Sequence, residues 1–141
     1  MKPCYWPIEN LPGLSSQQST DLKTRGIVNT RELLLETKTP RLKQSLAARL
    51  QIHLQYINKW AALADLARLP SVGCQYCGLL LHSGIASALQ LTSVPVPRLH
   101  RQILRFQVAT FQSKDFCPPV ELVRKWIEEA RSLETGRRLN V

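Results

Sequence analysis

Cys74 and Cys77 stand three residues apart, with Gly73 and Gly78 on either side. A Cys-x-x-Cys pair can hold a metal or cycle between dithiol and disulfide. No second Cys or His pair at zinc spacing completes it, because Cys4, Cys117, His53, His82 and His100 are scattered along the chain. At the first turn of a helix the macrodipole lowers a thiol pKa, which gives a redox role a mechanism. The plainer reading is that both are small structural thiols, with no metal and no cofactor. A hydrolase needs a nucleophile, a base and an oxyanion site within mutual reach. The separated histidines and scarce acids supply no such set, and Gly73 is not followed by the Gly-Lys-Ser/Thr of a P-loop. No catalytic residue is assigned, and the chain is read as a non-enzyme.

Positive charge is the second resource. The chain of 141 residues carries 19 Lys+Arg against 10 Asp+Glu, a formal charge of +9. From Thr37 to Lys114 the only carboxylate is Asp65. Within that stretch Arg98, Arg101 and Arg105 fall at i, i+3 and i+7, one face of a helix, opposite Leu99, Ile103 and Phe106. Arg41 and Arg49 occupy related places earlier in the chain. Such a face suits a polyphosphate backbone or an acidic protein surface, although an arginine-rich face is also ordinary solvated surface. Aromatic residues are not interleaved with the bases, so stacking on single strands has little support.

These groups must be positioned by helices, and the helices come in two sets. Leu11-Pro12-Gly13-Leu14 matches Leu69-Pro70-Ser71-Val72 at an offset of 58, which continues through Leu22/Leu80, Gly26/Gly84, Ile27/Ile85 and Leu33/Leu91. Pro40-Arg41-Leu42 matches Pro97-Arg98-Leu99 at 57, and Lys59-Trp60 and Ala64 match Lys125-Trp126 and Ala130 at 66. The second copy therefore has about nine extra residues within 106–118. The expected units are 8–66 and 67–133, with tails at 1–7 and 134–141. In each, helices are expected after the Pro turn (15–25, 74–83), after the Gly-Ile turn (31–36, 88–91, capped by Thr30 and Ser87), from Pro40 and Pro97, and at the end (54–66, 120–133). Leu42, Leu46 and Leu50 share one face of the third helix. Val120, Val123, Trp126, Ile127 and Ala130 form the inner stripe of the last. Nothing alternates long enough for a strand. The fold expected is all-α, two tandem units sharing one core, with Trp60 and Trp126 as paired core anchors.

The residues Leu69-Pro70-Ser71-Val72-Gly73-Cys74-Gln75-Tyr76-Cys77-Gly78-Leu79-Leu80 resemble a helix-hairpin-helix motif, which reads apolar-Pro-Gly-apolar-Gly, then a small residue four places on, then two apolar residues. Here Ser71 replaces the first Gly, Gly73 keeps the second, and Cys77 takes the small position. The earlier copy, Leu11-Pro12-Gly13-Leu14-Ser15, keeps the first Gly and loses the second. The resemblance implies that the turn and the following helix N-terminus aim free amides at a phosphate of a nucleic-acid backbone, without base specificity. The same turn also serves as a plain helix connector, and each missing Gly restricts phosphate approach. Across 8–133 the order of motifs resembles an uncharacterised cyanobacterial and plastid family, a domain of unknown function built on tandem helix-hairpin-helix units. That resemblance implies the fold and a non-enzymatic role, and no ligand.

The expectation is a binding module for nucleic-acid backbone, double-stranded DNA before RNA. Its anion-binding residues would be Gly13, Leu14 and Ser15, Ser71, Gly73 and Cys74, with Arg98, Arg101, Arg105, Arg41 and Arg49. The alternative is a protein-protein adaptor or assembly factor, of a photosynthetic organism, that docks an acidic partner. Neither a secretory signal nor a membrane span is expected, and the expected location is the cytoplasm with reduced thiols.

Overall fold

The computed structural model describes residues 2–111 and 117–139, with side chains described for all of these except 111 and 136–139. The described residues form eight α-helices: α1 (Ser16–Thr24), α2 (Thr30–Glu36), α3 (Pro40–Leu50), α4 (Leu54–Leu66), α5 (Gly73–His82), α6 (Ala88–Leu91), α7 (Val96–Phe111) and α8 (Val120–Leu139). A single 3-10 turn at Ile8–Asn10 precedes them, and the only strand-like pairing among the described residues is one bridge between Pro7 and Asn29. The chain is all-α.

Local chemistry sets the boundaries. Ser15 and Gln18 form a reciprocal capping box at the start of α1. The α2 cap is Asn29, whose side chain accepts from the Glu32 amide at 2.9 Å. Thr30, expected in that role, is fully buried, and its hydroxyl accepts from the Trp6 amide at 3.0 Å. Ser87 caps α6 as expected, accepting from the Gln90 amide, and Thr39 caps α3 with Pro40 at its first position. Gly26 and Gly84 follow α1 and α5 with φ of +85° and +98°. These left-handed turns exclude most side chains.

One continuous core holds side chains from every α-helix. Trp60 of α4 and Trp126 of α8 are its largest members, at 1% and 0% exposure. The α4 and α5 helices pack on each other; α2 and α3 pack on α4, and α8 lies against α6 and α7. Val123, Trp126, Ile127 and Ala130 form the inner stripe of α8 as expected, with Val120 half-buried.

Three expectations need correction. On α7 the buried stripe is Leu99, Ile103 and Gln107, while Phe106 rotates to the edge and stacks on His82. On α3 the inner stripe begins at Leu46. Leu42 is 36% exposed, because eight residues of helix turn about 80° past a whole number of turns and carry Leu42 off the face that holds Leu50. The described parts of the segments read as tails, 2–7 and 134–139, are structured. The first is a strap: Cys4 N–H donates to Arg68 O (2.8 Å), the Thr30 amide donates to Trp6 O (2.9 Å) while the Trp6 amide donates to the Thr30 hydroxyl, the Trp6 indole donates to Ala67 O (2.7 Å), and Ile8 is fully buried. The second is the continuation of α8 to Leu139. Part of the extra length of the second half goes into α7, which is 16 residues against 11 in α3. The rest, with Lys114, lies outside the described residues.

Candidate anion-binding corners

The two Pro turns differ in what occupies them. In the first, Gly13 adopts φ +84° and is exposed, and Leu14 leads into Ser15, the cap of α1. Gln18 Oε1 accepts the Ser15 amide at 2.9 Å, and the Ser15 hydroxyl accepts the Gln18 amide at 3.1 Å. The amides of Gly13, Ser16 and Gln17 have no partner among the described residues, while the Leu14 amide turns back towards Leu11 O across the Pro12–Gly13 turn. The Lys59 ammonium lies beside this turn: its Nζ is 3.4 Å from where a Cβ on Gly13 would stand. Leu63, one helical turn further along α4, closes the apolar side, with Cδ1 3.9 Å from the same point. The first corner thus combines unpaired N–H groups, a helix N-terminus and a cation.

The second turn is closed. The Ser71 amide donates to Glu129 Oε1 at 2.9 Å and its hydroxyl to Oε2 at 2.6 Å, while the Trp126 indole donates to Ser71 O at 3.1 Å. A carboxylate of the chain itself therefore takes the donors that a phosphate would need. Gly73, at φ +52°, is buried under the strap: a Cβ there would lie 3.2 Å from Cζ2 of Trp6. Its amide is bonded to Leu69 O. Cys74 follows, half-buried. At the offset of 66 that aligns Trp60 with Trp126, Glu129 corresponds to Leu63 and Lys125 to Lys59. The closed corner thus has an acid where the open one has a leucine, a serine in place of Gly13, and Trp6 over Gly73.

The arginines divide between two helices. Arg98, Arg101 and Arg105 are exposed along α7, and none is ion-paired with a described carboxylate. Arg41 and Arg49 are exposed on α3, which packs elsewhere, against α2 and α4. Arg49 is engaged by Glu36 at 3.3 Å, and its carbonyl accepts from Arg25 at 2.7 Å. The open corner and α7 are neighbours on α5. Pro12 lies over Gly78, 3.7 Å from its Cβ position, and Phe106 stacks on His82 with ring centroids 5.3 Å apart. Gly78 and His82 are one turn apart on the same helix face.

The thiols behave as buried groups. Burial raises the Cys74 pKa, and Cys77 is pushed up to about 12, by burial first and by the neighbouring Cys74 second. The lowering expected at a helix start is overridden by desolvation. Folding brings His100 to Cys117, with Nε2 3.7 Å from Sγ and 3.1 Å from Pro118 O. A proton on Nε2 directed at that carbonyl leaves this nitrogen unable to accept from the thiol, and burial raises the Cys117 pKa. No group of three or more metal-ligating side chains exists among the described residues.

Sequence reasoning missed Glu129, Lys59 and Trp6. The signal for Glu129 was present as an acid facing a leucine in the aligned halves. Trp6 stood between Pro3 and Pro7 in a segment too short to carry a periodicity.

Both corners, both core tryptophans and the α7 arginines fall within a stretch that matches one protein family, the domain of unknown function DUF4332, over residues 12–133. The chain belongs to that family. The DUF4332 match starts at Pro12, in the open corner, and ends at Leu133, a core residue of α8. No curated protein and no solved structure gives a match to this DUF4332 chain. No helix among its described residues is long and apolar enough to cross a membrane.

Proposed function

We propose that this DUF4332 chain is a non-enzymatic, cytoplasmic binding module for nucleic-acid backbone, double-stranded DNA in preference to RNA. In this reading its two halves are tandem helix-hairpin-helix units of cyanobacterial or plastid type. The observation that carries the reading is the open corner: the unpaired Gly13 amide and the N-terminus of α1 beside the Lys59 ammonium. Phosphate oxygens accept from such amides, and the helix dipole and the cation add to the attraction. Arg98, Arg101 and Arg105 extend the contact along α7, while Ser71 and Gly73 serve structure and take no phosphate. The left-handed glycines Gly26 and Gly84, the caps Asn29 and Ser87 at the offset of 58, and the core tryptophans Trp60 and Trp126 support the tandem reading.

The test is binding to a duplex DNA, a duplex RNA and a single strand across a salt series. Four cations in contact would give a slope of log K against log salt near −3.6 for duplex DNA, from about 0.9 per neutralised phosphate. No binding of any nucleic acid at about 50 mM salt would end the proposal.

A second reading, an adaptor that docks an acidic protein, is favoured by a separate feature, a groove along α4 with apolar walls and a basic rim.

A further inference from the structure

A cavity of about 940 Å³ along α4 shares no residue with either corner. Its floor is one face of α4. Asn58, Ala61, Ala62 and Asp65 line it at i, i+3, i+4 and i+7, and Arg68 continues the row just past the helix end. That row is about 15 Å long at 1.5 Å per residue. Leu34 and Leu35 of α2 form one wall, and Tyr5 of the strap adds an aromatic ring. Leu35 is 56% exposed and Tyr5 43%, so apolar surface remains uncovered here.

The charge around this surface has one sign. The lining holds Arg31, Lys38, Lys43 and Arg68 against a single carboxylate, Asp65. Asp65 is already committed, since it pairs with Arg68 and accepts the Ala88 amide at 2.8 Å. Arg31, Lys38 and Lys43 are left as three cations with no ion pair to a described carboxylate. Leu34, Leu35 and Tyr5 give a sugar-phosphate backbone nothing apolar to match. A trough this long and open exceeds a compact metabolite, which binds in an enclosing pocket. Small floor residues, Ala61 and Ala62, let a second helix approach closely, and among the described residues no sheet edge is offered for strand addition.

We infer that this groove docks an acidic amphipathic helix of a partner protein, about ten residues long, with its apolar stripe against Leu34, Leu35 and Ala62 and its carboxylates over Arg31, Lys38 and Lys43. The inference rests on the adaptor reading and gives that reading its partner chemistry. It is independent of the nucleic-acid reading, because the groove and the open corner have no residue in common.

The probe is a synthetic helical peptide with leucines at i, i+3, i+4 and i+7 flanked by glutamates, beside a version with lysine for each glutamate and a scrambled version of the same composition. Binding is read by fluorescence anisotropy and located by amide chemical-shift changes on the full chain. The expected result is binding of the acidic helix alone, with shifts on α2 and α4. Leu35→Asp, and Lys38→Glu combined with Lys43→Glu, would each weaken it at least about 10-fold, because they remove an apolar contact or reverse the rim charge. All three positions lie at the surface or half-buried, and retained circular dichroism shows that the variants fold. Shifts confined to the α7 arginines would overturn the groove and leave the adaptor reading standing. Equal binding of the scrambled peptide, or none by the acidic helix, would overturn both.

Discussion

Ser71 gives both of its donors to Glu129, the amide at 2.9 Å and the hydroxyl at 2.6 Å. This pair ties the turn before α5 to α8 and fills the second corner with the chain's own negative charge. Hydrogen bonds to a charged acceptor at a half-buried site contribute more than neutral ones. Glu129→Ala is expected to lower the unfolding free energy by about 1–3 kcal/mol in urea titrations. Glu129→Gln keeps an acceptor for one of the two donors and recovers part of the loss. An alanine variant as stable as the native chain would show that this corner is held by Trp126 and Trp6 alone.

The arginines on the two basic helices make a second prediction. Arg49 is held by Glu36, whereas Arg101 is exposed on α7 without a described acidic partner. If duplex DNA is the ligand, Arg101→Ala reduces the salt slope by about 1. Arg49→Ala leaves the slope unchanged. Equal reductions from both variants would mean that overall charge, and not the α7 face, sets the affinity.

Trp6 joins the strap to two separate parts of the core. Its indole bonds to Ala67 O, its backbone pairs with Thr30, and its ring covers Gly73. Trp6→Ala is expected to cost about 2–4 kcal/mol, below the range for a wholly buried tryptophan because Trp6 is half-buried. Removing residues 1–7 should cost at least as much. Thermal unfolding by circular dichroism measures both. A truncated chain with an unchanged midpoint would show that the strap adds nothing to the fold.

The architecture was legible because helix signals in this chain are local. Pro40, Ser87, Gly26 and Gly84 act through their own turns, and the stripe of α8 repeats at helical spacing. What failed depends on partners distant in sequence. Thr30 has the chemistry of a cap, yet Asn29 caps α2, because the Thr30 hydroxyl is claimed by Trp6, 24 residues away. Asp65, the lone acid in a long basic stretch, is a clip between Arg68 and α6 and does not balance the surface. The corners looked alike in sequence and differ in the structure because Glu129 is 58 residues from Ser71. The charges on α3 and α7 were legible as residues but not as a surface, since their relative placement is set by packing.

Cys77 makes the stability of the protein depend on alkaline pH. Its thiol has an ordinary value of 9.0 and is pushed up to about 12 in the folded chain, by burial first and by Cys74 second. Below pH 9 the folded and unfolded states both keep the proton, so the contribution of the neutral thiol is fully present. Between 9 and 12 the unfolded chain releases it and the folded chain does not. The unfolded state then binds fewer protons, and the unfolding free energy falls as pH rises. The urea midpoint should therefore drop more steeply from about pH 8 to 10 in the native chain than in Cys77→Ala, a substitution that changes side-chain size little. Lysine and tyrosine titrations affect both proteins alike, so the difference between the two slopes isolates this thiol. Iodoacetamide should likewise leave Cys77 unlabelled in the folded protein at pH 8 and label it in urea. Rapid native labelling at Cys77, or parallel slopes for the two proteins, would show that the thiol ionises freely despite its burial.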